Sequence, residues 1–177
     1  MKTLFGHLSL FVSLFLISNS IAGQDSIVTK TYLNKKVEIS VPSSWTELDG
    51  KEITERFPNP NLRPSVFLSD KEGLTSLKII EMPQDVADNE VGQYKRFHMS
   101  QMKKEANIEW LGDGLRKINN KNVGFFKVVY TERNTFAYFF FTSLNGKLLL
   151  FTFNCVDKLW PSMEDQTEKI VSSLKVQ

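Results

Sequence analysis

Side chains suited to acid–base or nucleophilic chemistry are scarce in this sequence. The histidines are His7 and His98, and Cys155 is the only cysteine. A Ser-His-Asp or Cys-His site would have to recruit His98, which lies within a predicted apolar helix stripe. Cys155 lies within a predicted apolar strand. We therefore interpret His98 as a core or helix-edge side chain and Cys155 as a buried, inert thiol, and we predict that the protein is not an enzyme.

The sequence also lacks the patterns of metal and phosphate sites. One histidine and one cysteine outside the N-terminal segment cannot form a transition-metal cage, and no acidic cluster has the spacing of a calcium loop. Gly112-Asp113-Gly114 is followed by neither a third glycine nor a helix, so it predicts a turn rather than a phosphate cradle. A catalytic pair of carboxylates stays an open alternative, since any two of the 20 acidic residues could converge in the fold. We predict no cofactor and no metal.

The N-terminal segment has the pattern of a secretory signal peptide. Lys2 supplies the positive charge, and Leu8–Ile17 is apolar apart from two serines. Ser20-Ile21-Ala22 then places small residues where a signal peptidase requires them. We predict that residues 1–22 are a signal peptide, that 23–177 form a single domain, and that the mature protein is periplasmic or secreted. The alternative is a retained N-terminal anchor.

The charge balance argues against several classes of partner. Removing Lys2 from the 22 basic side chains leaves 21 against 20 acidic ones. A nearly neutral chain offers no general field for nucleic acid or an anionic membrane. A membrane-spanning helix needs about 20 consecutive apolar residues, and no stretch beyond the N-terminal segment comes near that length. We expect no nucleic-acid partner, no integral membrane segment in the mature chain, and no internal disulfide.

Alternating apolar residues predict strands, and two amphipathic segments predict helices. The central helix should be capped by Asp88 or Asn89 and end near Ala106-Asn107. The last helix follows Trp160-Pro161, with Ser162 and Asp165 as a capping pair. A short helical turn is predicted over Glu52–Phe57. The first predicted strands cover 37–41, 65–69, 74–82 and 108–111. A further strand runs through Leu115 and Ile118, and another covers 123–131.

The clearest architectural signal is a block of ten aromatic residues between Phe125 and Phe153. If Asn145-Gly146 forms a two-residue type I′ turn, Leu144 opposes Lys147 and Phe140 opposes Phe151. Counting by twos places apolar side chains on both faces of the sheet, which must then be covered on both sides or offer one side to a partner. The predicted first face carries Phe136, Tyr138, Phe140, Leu149, Phe151, Phe153 and Cys155, and the second carries Phe139, Phe141, Leu148 and Leu150.

The segment Val37-Glu38-Ile39-Ser40-Val41-Pro42-Ser43-Ser44-Trp45 resembles the opening of PsbP-like (Mog-type, DcrB-like) domains. The turn Ile118–Lys121 before a meander and the helix end Ile170–Leu174 match that family in the same order. The resemblance covers nearly all of 31–175. It implies an α+β fold, an α/β/α sandwich around a central, mostly antiparallel sheet of six to seven strands, and it implies a family without catalytic residues.

We therefore predict a soluble, exported accessory protein of the bacterial cell envelope that acts through a protein partner, either DcrB-like or of a toxin-immunity type. We expect a monomer or weak dimer. Trp45, Trp110 and Trp160 lie near element ends, and whichever is exposed is a candidate partner contact; the alternative is that all three pack in the core. The alternative function is a small-molecule or lipid carrier with a pocket between helix and sheet.

Overall fold

The computed structural model describes residues 25–177, which form ten β-strands and three α-helices. The helices are α1 (Gly50–Arg56), α2 (Val91–Met102) and α3 (Trp160–Ser172). The strands are β1 (Ile27–Tyr32), β2 (Val37–Pro42), β3 (Thr46–Glu47), β4 (Val66–Ser69), β5 (Thr75–Asp85), β6 (Ile108–Ile118), β7 (Lys121–Tyr130), β8 (Thr135–Leu144), β9 (Lys147–Val156) and β10 (Lys175–Val176). The predicted signal peptide lies outside the described residues.

Seven strands form an antiparallel sheet in the order β3-β4-β5-β9-β8-β7-β6. This confirms the predicted α+β fold with its antiparallel sheet. A second, three-stranded sheet has the order β1-β2-β10. It was not predicted, because β1 comes from a largely polar lead and β10 has only two residues, Lys175 and Val176.

The turn between β8 and β9 sets the register of the aromatic block as predicted. Asn145 and Gly146 have φ angles of 53° and 75°, the left-handed values that a type I′ turn requires. Leu144 consequently pairs with Lys147, and Phe140 pairs with Phe151. Every aromatic side chain of β8 and β9 thereby lies on its predicted face of the sheet.

One face of the large sheet, here called the inner face, contains the main core. The side chains of Phe136, Tyr138, Phe140, Phe151 and Phe153 have no exposed surface. They pack with apolar residues of β2 and α3 in one cluster. Full burial of aromatic and branched side chains is the largest favourable contribution to folding, which explains how the domain dispenses with disulfides.

The opposite face, here called the α2 face, is covered in part by α2. Tyr94 packs edge-on against Phe141 at a centroid distance of 5.4 Å. Gly124 of β7 makes room for the helix and its contacts: a Cβ atom there would lie 2.7 Å from the Phe141 ring and 3.4 Å from Lys95 Cβ. Gly124 thus allows α2 to pack closely over β7 and β8.

The predicted turn Gly112-Asp113-Gly114 is wrong, because all three residues lie inside β6. Gly112 pairs with Lys127, and Gly114 pairs with Phe125. The Phe125 ring crosses Gly114 so closely that a Cβ atom would lie 2.6 Å from it. The glycine is therefore required by an aromatic ring and not by a turn. A β-bulge at Leu111, between Trp110 and Gly112, shifts the register of the strand.

The predicted cap of α2 is also wrong. The carboxylate of Asp88 accepts a hydrogen bond from the backbone N–H of Asn122 at 3.0 Å, which ties it to β7. The Glu90 carboxylate instead accepts from the Ala87 N–H at 2.9 Å. α2 ends at Met102, before the predicted Ala106-Asn107, because the amides of Lys104 and Glu105 bond carbonyls three residues back and tighten the chain.

The predicted cap of α3 fails for a related reason. A short 3-10 turn over Asp157–Leu159 leads directly into the helix, so that Ser162 already lies inside its first turn. The Ser162 hydroxyl donates to the Leu159 carbonyl at 2.7 Å. In contrast, the predicted helical turn before Phe57 is confirmed as α1, which Asp49 caps by accepting from the Glu52 N–H at 2.9 Å.

Candidate binding surface

The three tryptophans occupy different environments. Trp45 is 4% exposed and stacks on Phe153 of the inner face at a centroid distance of 6.2 Å. Trp160 is half-buried and stacks on Phe136 at 3.5 Å, where it joins the first turn of α3 to the sheet. Trp45 thus lies in the core, whereas Trp160 keeps part of its ring in solvent.

Trp110 lies on the α2 face, beyond the last turn of α2. Its ring packs against Phe126 at a centroid distance of 5.8 Å. Lys103 Nζ lies 5.4 Å from the Trp110 centroid, a cation–π distance. The ring is half-buried, so that one edge of it remains available at the surface.

His98 and Cys155 lie in separate parts of the molecule. His98 is on α2, where its ring nitrogen hydrogen-bonds the Tyr94 hydroxyl. Burial lowers the pKa of His98 below its usual value of 6.5, which favours the neutral ring. Cys155 lies on the inner face and is 2% exposed; burial, with a contribution from Asp157, raises the pKa of its thiol to about 12. Because the sheet separates them, the two side chains do not form a nucleophile–base pair.

The α2 face is much less completely covered than the inner face. α2 protects the β7–β8 half, and the side chains beyond it stay partly in solvent. The half-buried apolar residues around this face are Met82, Tyr94, Met102, Ile108, Trp110, Tyr130, Phe139 and Leu150. An incompletely covered apolar sheet face is the kind of surface that binds a partner or ligand.

Phe97 is the large apolar side chain that α2 exposes to solvent. It is 61% exposed. Val91, Tyr94 and His98 turn towards the sheet, and Phe97 lies about 100° around the helix from His98. Its ring meets the His98 ring edge-on at a centroid distance of 6.0 Å. Phe97 and Tyr94 line a shallow groove of about 290 Å³ together with Val86.

The inner face also contains a half-buried charge cluster that the sequence analysis missed. The Glu168 carboxylate on α3 accepts hydrogen bonds from Arg116 at 2.9 Å and pairs with Lys127 at 2.8 Å. Arg116 also donates to the Tyr138 hydroxyl at 3.0 Å. Burial acts to raise the pKa of Glu168, but the two cations outweigh it and hold the pKa below its usual value. These ion pairs tie α3 to the sheet.

Residues 25–177 contain neither a candidate metal site nor a helix that could cross a membrane. In that range no three metal-ligating side chains come together in a group that could hold a metal ion. No helix of the same range is long and apolar enough to cross a membrane.

The sequence matches no protein-family model, and no curated protein matches it either. Solved structures with a similar fold include CyanoP, the cyanobacterial PsbP of Synechocystis sp. PCC 6803. Its alignment has a TM-score of 0.60 and 17% identity, and covers 92% of this chain and 99% of that chain. LpqN, involved in cell envelope biogenesis of Mycobacterium tuberculosis, aligns with a TM-score of 0.56 and 10% identity, and covers 86% and 91%.

At these identities the likeness shows the fold alone. The chain has a PsbP-like fold, as the resemblance of its opening strand, turn and final helix predicts.

Proposed function

We propose that this protein is an exported, non-enzymatic accessory protein of the bacterial cell envelope that acts by binding a protein partner. The observation that carries the proposal is the partly open α2 face, from which Phe97 projects with 61% of its surface exposed. The signal-peptide pattern of residues 1–22 supports export. The involvement of LpqN, a protein of similar fold, in cell envelope biogenesis is compatible with this assignment.

The chemistry of the α2 face favours a protein partner. Aromatic side chains supply most of the binding energy at protein interfaces when a partner desolvates them completely. Phe97 stands beside the half-buried Tyr94 and His98, so that a docked apolar side chain would meet several rings at once. Asp85 and Glu90 line the same groove and would form a polar rim around such a contact.

Trp110 and Trp160 remain candidate contacts. Trp110 extends the α2 face towards its far end, and its half-buried ring would lose its remaining solvent on docking. Trp160 lies by α3, on the other side of the sheet, and would belong to a second contact. Trp45 is not proposed as a contact, because 4% exposure leaves almost no surface to bury.

The carrier alternative receives little support from the packing of the aromatic block. A pocket lined by the meander phenylalanines would need space at the inner face, but Phe136, Phe140, Phe151 and Phe153 are fully buried against each other and their neighbours. The groove beside Phe97 is shallow, with a volume of about 290 Å³. A drug-sized ligand is usually enclosed by a deeper cavity.

The proposal is tested by affinity capture from the native cell envelope with wild-type, F97S and L62S proteins. Leu62 is a matched control because it is 65% exposed and belongs to the 3-10 turn Pro60–Leu62 rather than to α2. We expect a partner that wild type and L62S capture equally and that F97S loses. A resident envelope protein as partner would support a DcrB-like role, and a delivered toxin would support an immunity role.

A partner that F97S retains at wild-type yield would contradict the assignment of the α2 face. Failure of the wild-type protein to retain any envelope protein would contradict the proposed function itself.

A further inference from the structure

The α2 face has a second groove, at the end of the sheet where β8 begins. Its volume is about 280 Å³, and its lining includes Thr135, Asn154 and Ser76. α2 lies over β7 and β8, so this part of the face, near β4, β5 and β9, is bordered by α1 and by the turn between β7 and β8. The groove shares no lining residue with the one beside Phe97, so that its role is independent of the proposed function.

Three cationic side chains line this groove, and they come from distant parts of the sequence. Arg56 ends α1, Lys78 lies in the middle of β5, and Arg133 belongs to the turn that joins β7 to β8. The groove is lined by no acidic side chain. Within residues 25–177 none of the three cations has a carboxylate oxygen within 4.0 Å.

Lys78 is the central member of the three. It pairs with Phe67 on one side and with Thr152 on the other, so that its side chain stands on the α2 face between two buried neighbours. Its Nζ atom lies 5.2 Å from the centroid of Phe57. Burial, and then the charge of Arg56, lower the pKa of Lys78. A half-buried ammonium group beside a second cation is therefore held without a compensating anion.

Aromatic rings position Arg56 beside Lys78. Arg56 Cζ lies 4.5 Å from the centroid of Phe67, and the Phe57 and Phe67 rings are 5.5 Å apart. The rings stabilise both cations by cation–π contact and exclude water from one side of the groove. A guanidinium that stacks on a ring keeps its edge N–H groups free for a ligand.

Two acidic residues near Arg133, Glu105 and Glu132, do not line this groove. Glu132 accepts a hydrogen bond from Asn107 at 2.5 Å, which directs its carboxylate to the loop before β6. Glu105 lines a neighbouring groove on the other side of Arg133. The anionic charges nearby thus leave the space between Arg56, Lys78 and Arg133 open.

We propose that this groove binds a small dissolved oxyanion, a carboxylate or a phosphate, between Arg56, Lys78 and Arg133. Guanidinium forks match the planar edge of a carboxylate and two oxygens of a phosphate. The Asn154 amide and the Ser76 hydroxyl supply further donors in the same lining. An anion there would relieve the repulsion between the cations, and the small volume selects a small solute.

The proposal is tested by amide-detected NMR titration of the purified protein with inorganic phosphate and with citrate at constant ionic strength. We expect saturable shifts centred on Ser76, Lys78 and Asn154 for at least one anion, and the tighter of the two identifies the chemical class. K78M and R133Q should each weaken binding about tenfold, the loss of one charge-assisted hydrogen bond. Each variant's thermal midpoint verifies folding.

K71M is the matched control, because Lys71 lies exposed in the turn between β4 and β5 and the variant loses the same charge. It should bind as wild type does. Equal weakening by K71M, shifts that do not saturate for either anion, or binding to phosphatidylglycerol vesicles without any response to the dissolved anions would each overturn the proposal.

Discussion

At the scale of single residues, the side chains that look reactive in the sequence have structural roles. Cys155 completes the inner face, and His98 supports Tyr94 on α2. Both roles follow from periodicity alone, because each residue falls on a predicted apolar stripe. The cations Arg56, Lys78 and Arg133 could not be predicted as a group, since their spacing in the sequence has no periodicity and only the folded sheet brings them together.

Cys155 should resist thiol reagents in the native protein. Its pKa is raised to about 12 and it is 2% exposed, so that the nucleophilic thiolate is neither formed nor accessible. We expect no reaction with Ellman's reagent under native conditions and one thiol per chain in denaturant. Rapid stoichiometric reaction of the folded protein would contradict the burial of this thiol.

His98 should make the protein less stable in mild acid. Its pKa in the folded state is lowered from 6.5, so the unfolded state binds the proton more readily. The free energy of unfolding should be at its full value above pH about 6.5 and fall as the pH drops below it. Denaturant titrations across this range measure the slope, and H98Q should flatten it.

The loss of stability that His98 causes in mild acid can be separated from the loss that Glu168 causes. The pKa of Glu168 is lowered from 4.5, so its stabilising contribution is lost only at more acidic pH. A wild-type slope near pH 6 that H98Q leaves unchanged would assign the effect to another group.

At the scale of elements, the turn between β8 and β9 could be predicted from its own residues, whereas the packing of a glycine against an aromatic ring could not. Asn145-Gly146 demands left-handed backbone, and this local requirement sets the register of β8 and β9. Gly112 and Gly114 also resemble a turn, but Gly114 lies under the Phe125 ring inside a strand. That requirement comes from a residue on the neighbouring strand, which no local pattern contains.

Gly124→Ala should destabilise the protein through α2 packing. The new Cβ atom would lie 2.7 Å from the Phe141 ring, which is itself 1% exposed and has little room to move. Overpacking of this kind costs about 1–3 kcal/mol. Chemical denaturation measures the change in the free energy of unfolding.

Gly112→Ala is the matched control, because nothing lies within 4 Å of a Cβ atom added there. It should change the stability by no more than about 0.5 kcal/mol. Equal losses for the two variants would indicate that strand glycines, rather than the Phe141 contact, determine the effect.

At the scale of the whole molecule, the two sides of the sheet serve different purposes. The inner face is sealed by the second sheet and α3, whereas the α2 face leaves rings and cations in reach of solvent. The sequence predicted that both faces are apolar. It did not predict which would remain open, because β1 and β10, which complete the cover of the inner face, have weak strand patterns.

The proposed export predicts a defined mature protein. When the full chain is produced in a bacterial host and recovered from the periplasm, we expect its N-terminus at Gly23, the residue after Ala22. Intact mass and N-terminal sequencing identify the cleavage point. Substituting Ala22 with a bulky residue, as in Ala22→Phe, should block processing, whereas unprocessed wild-type protein would favour a retained anchor.

The bulge at Leu111 has a consequence for behaviour at high concentration. β6 is an edge of the seven-stranded sheet, and a long, regular edge strand is a template on which other chains can add strands and grow into fibres. Here the bulge interrupts the row of free backbone groups, and the exposed charges of Glu109, Asp113 and Lys117 follow along the strand. The bulge and these charges thereby protect this edge of the sheet against the addition of strands from other copies of the chain.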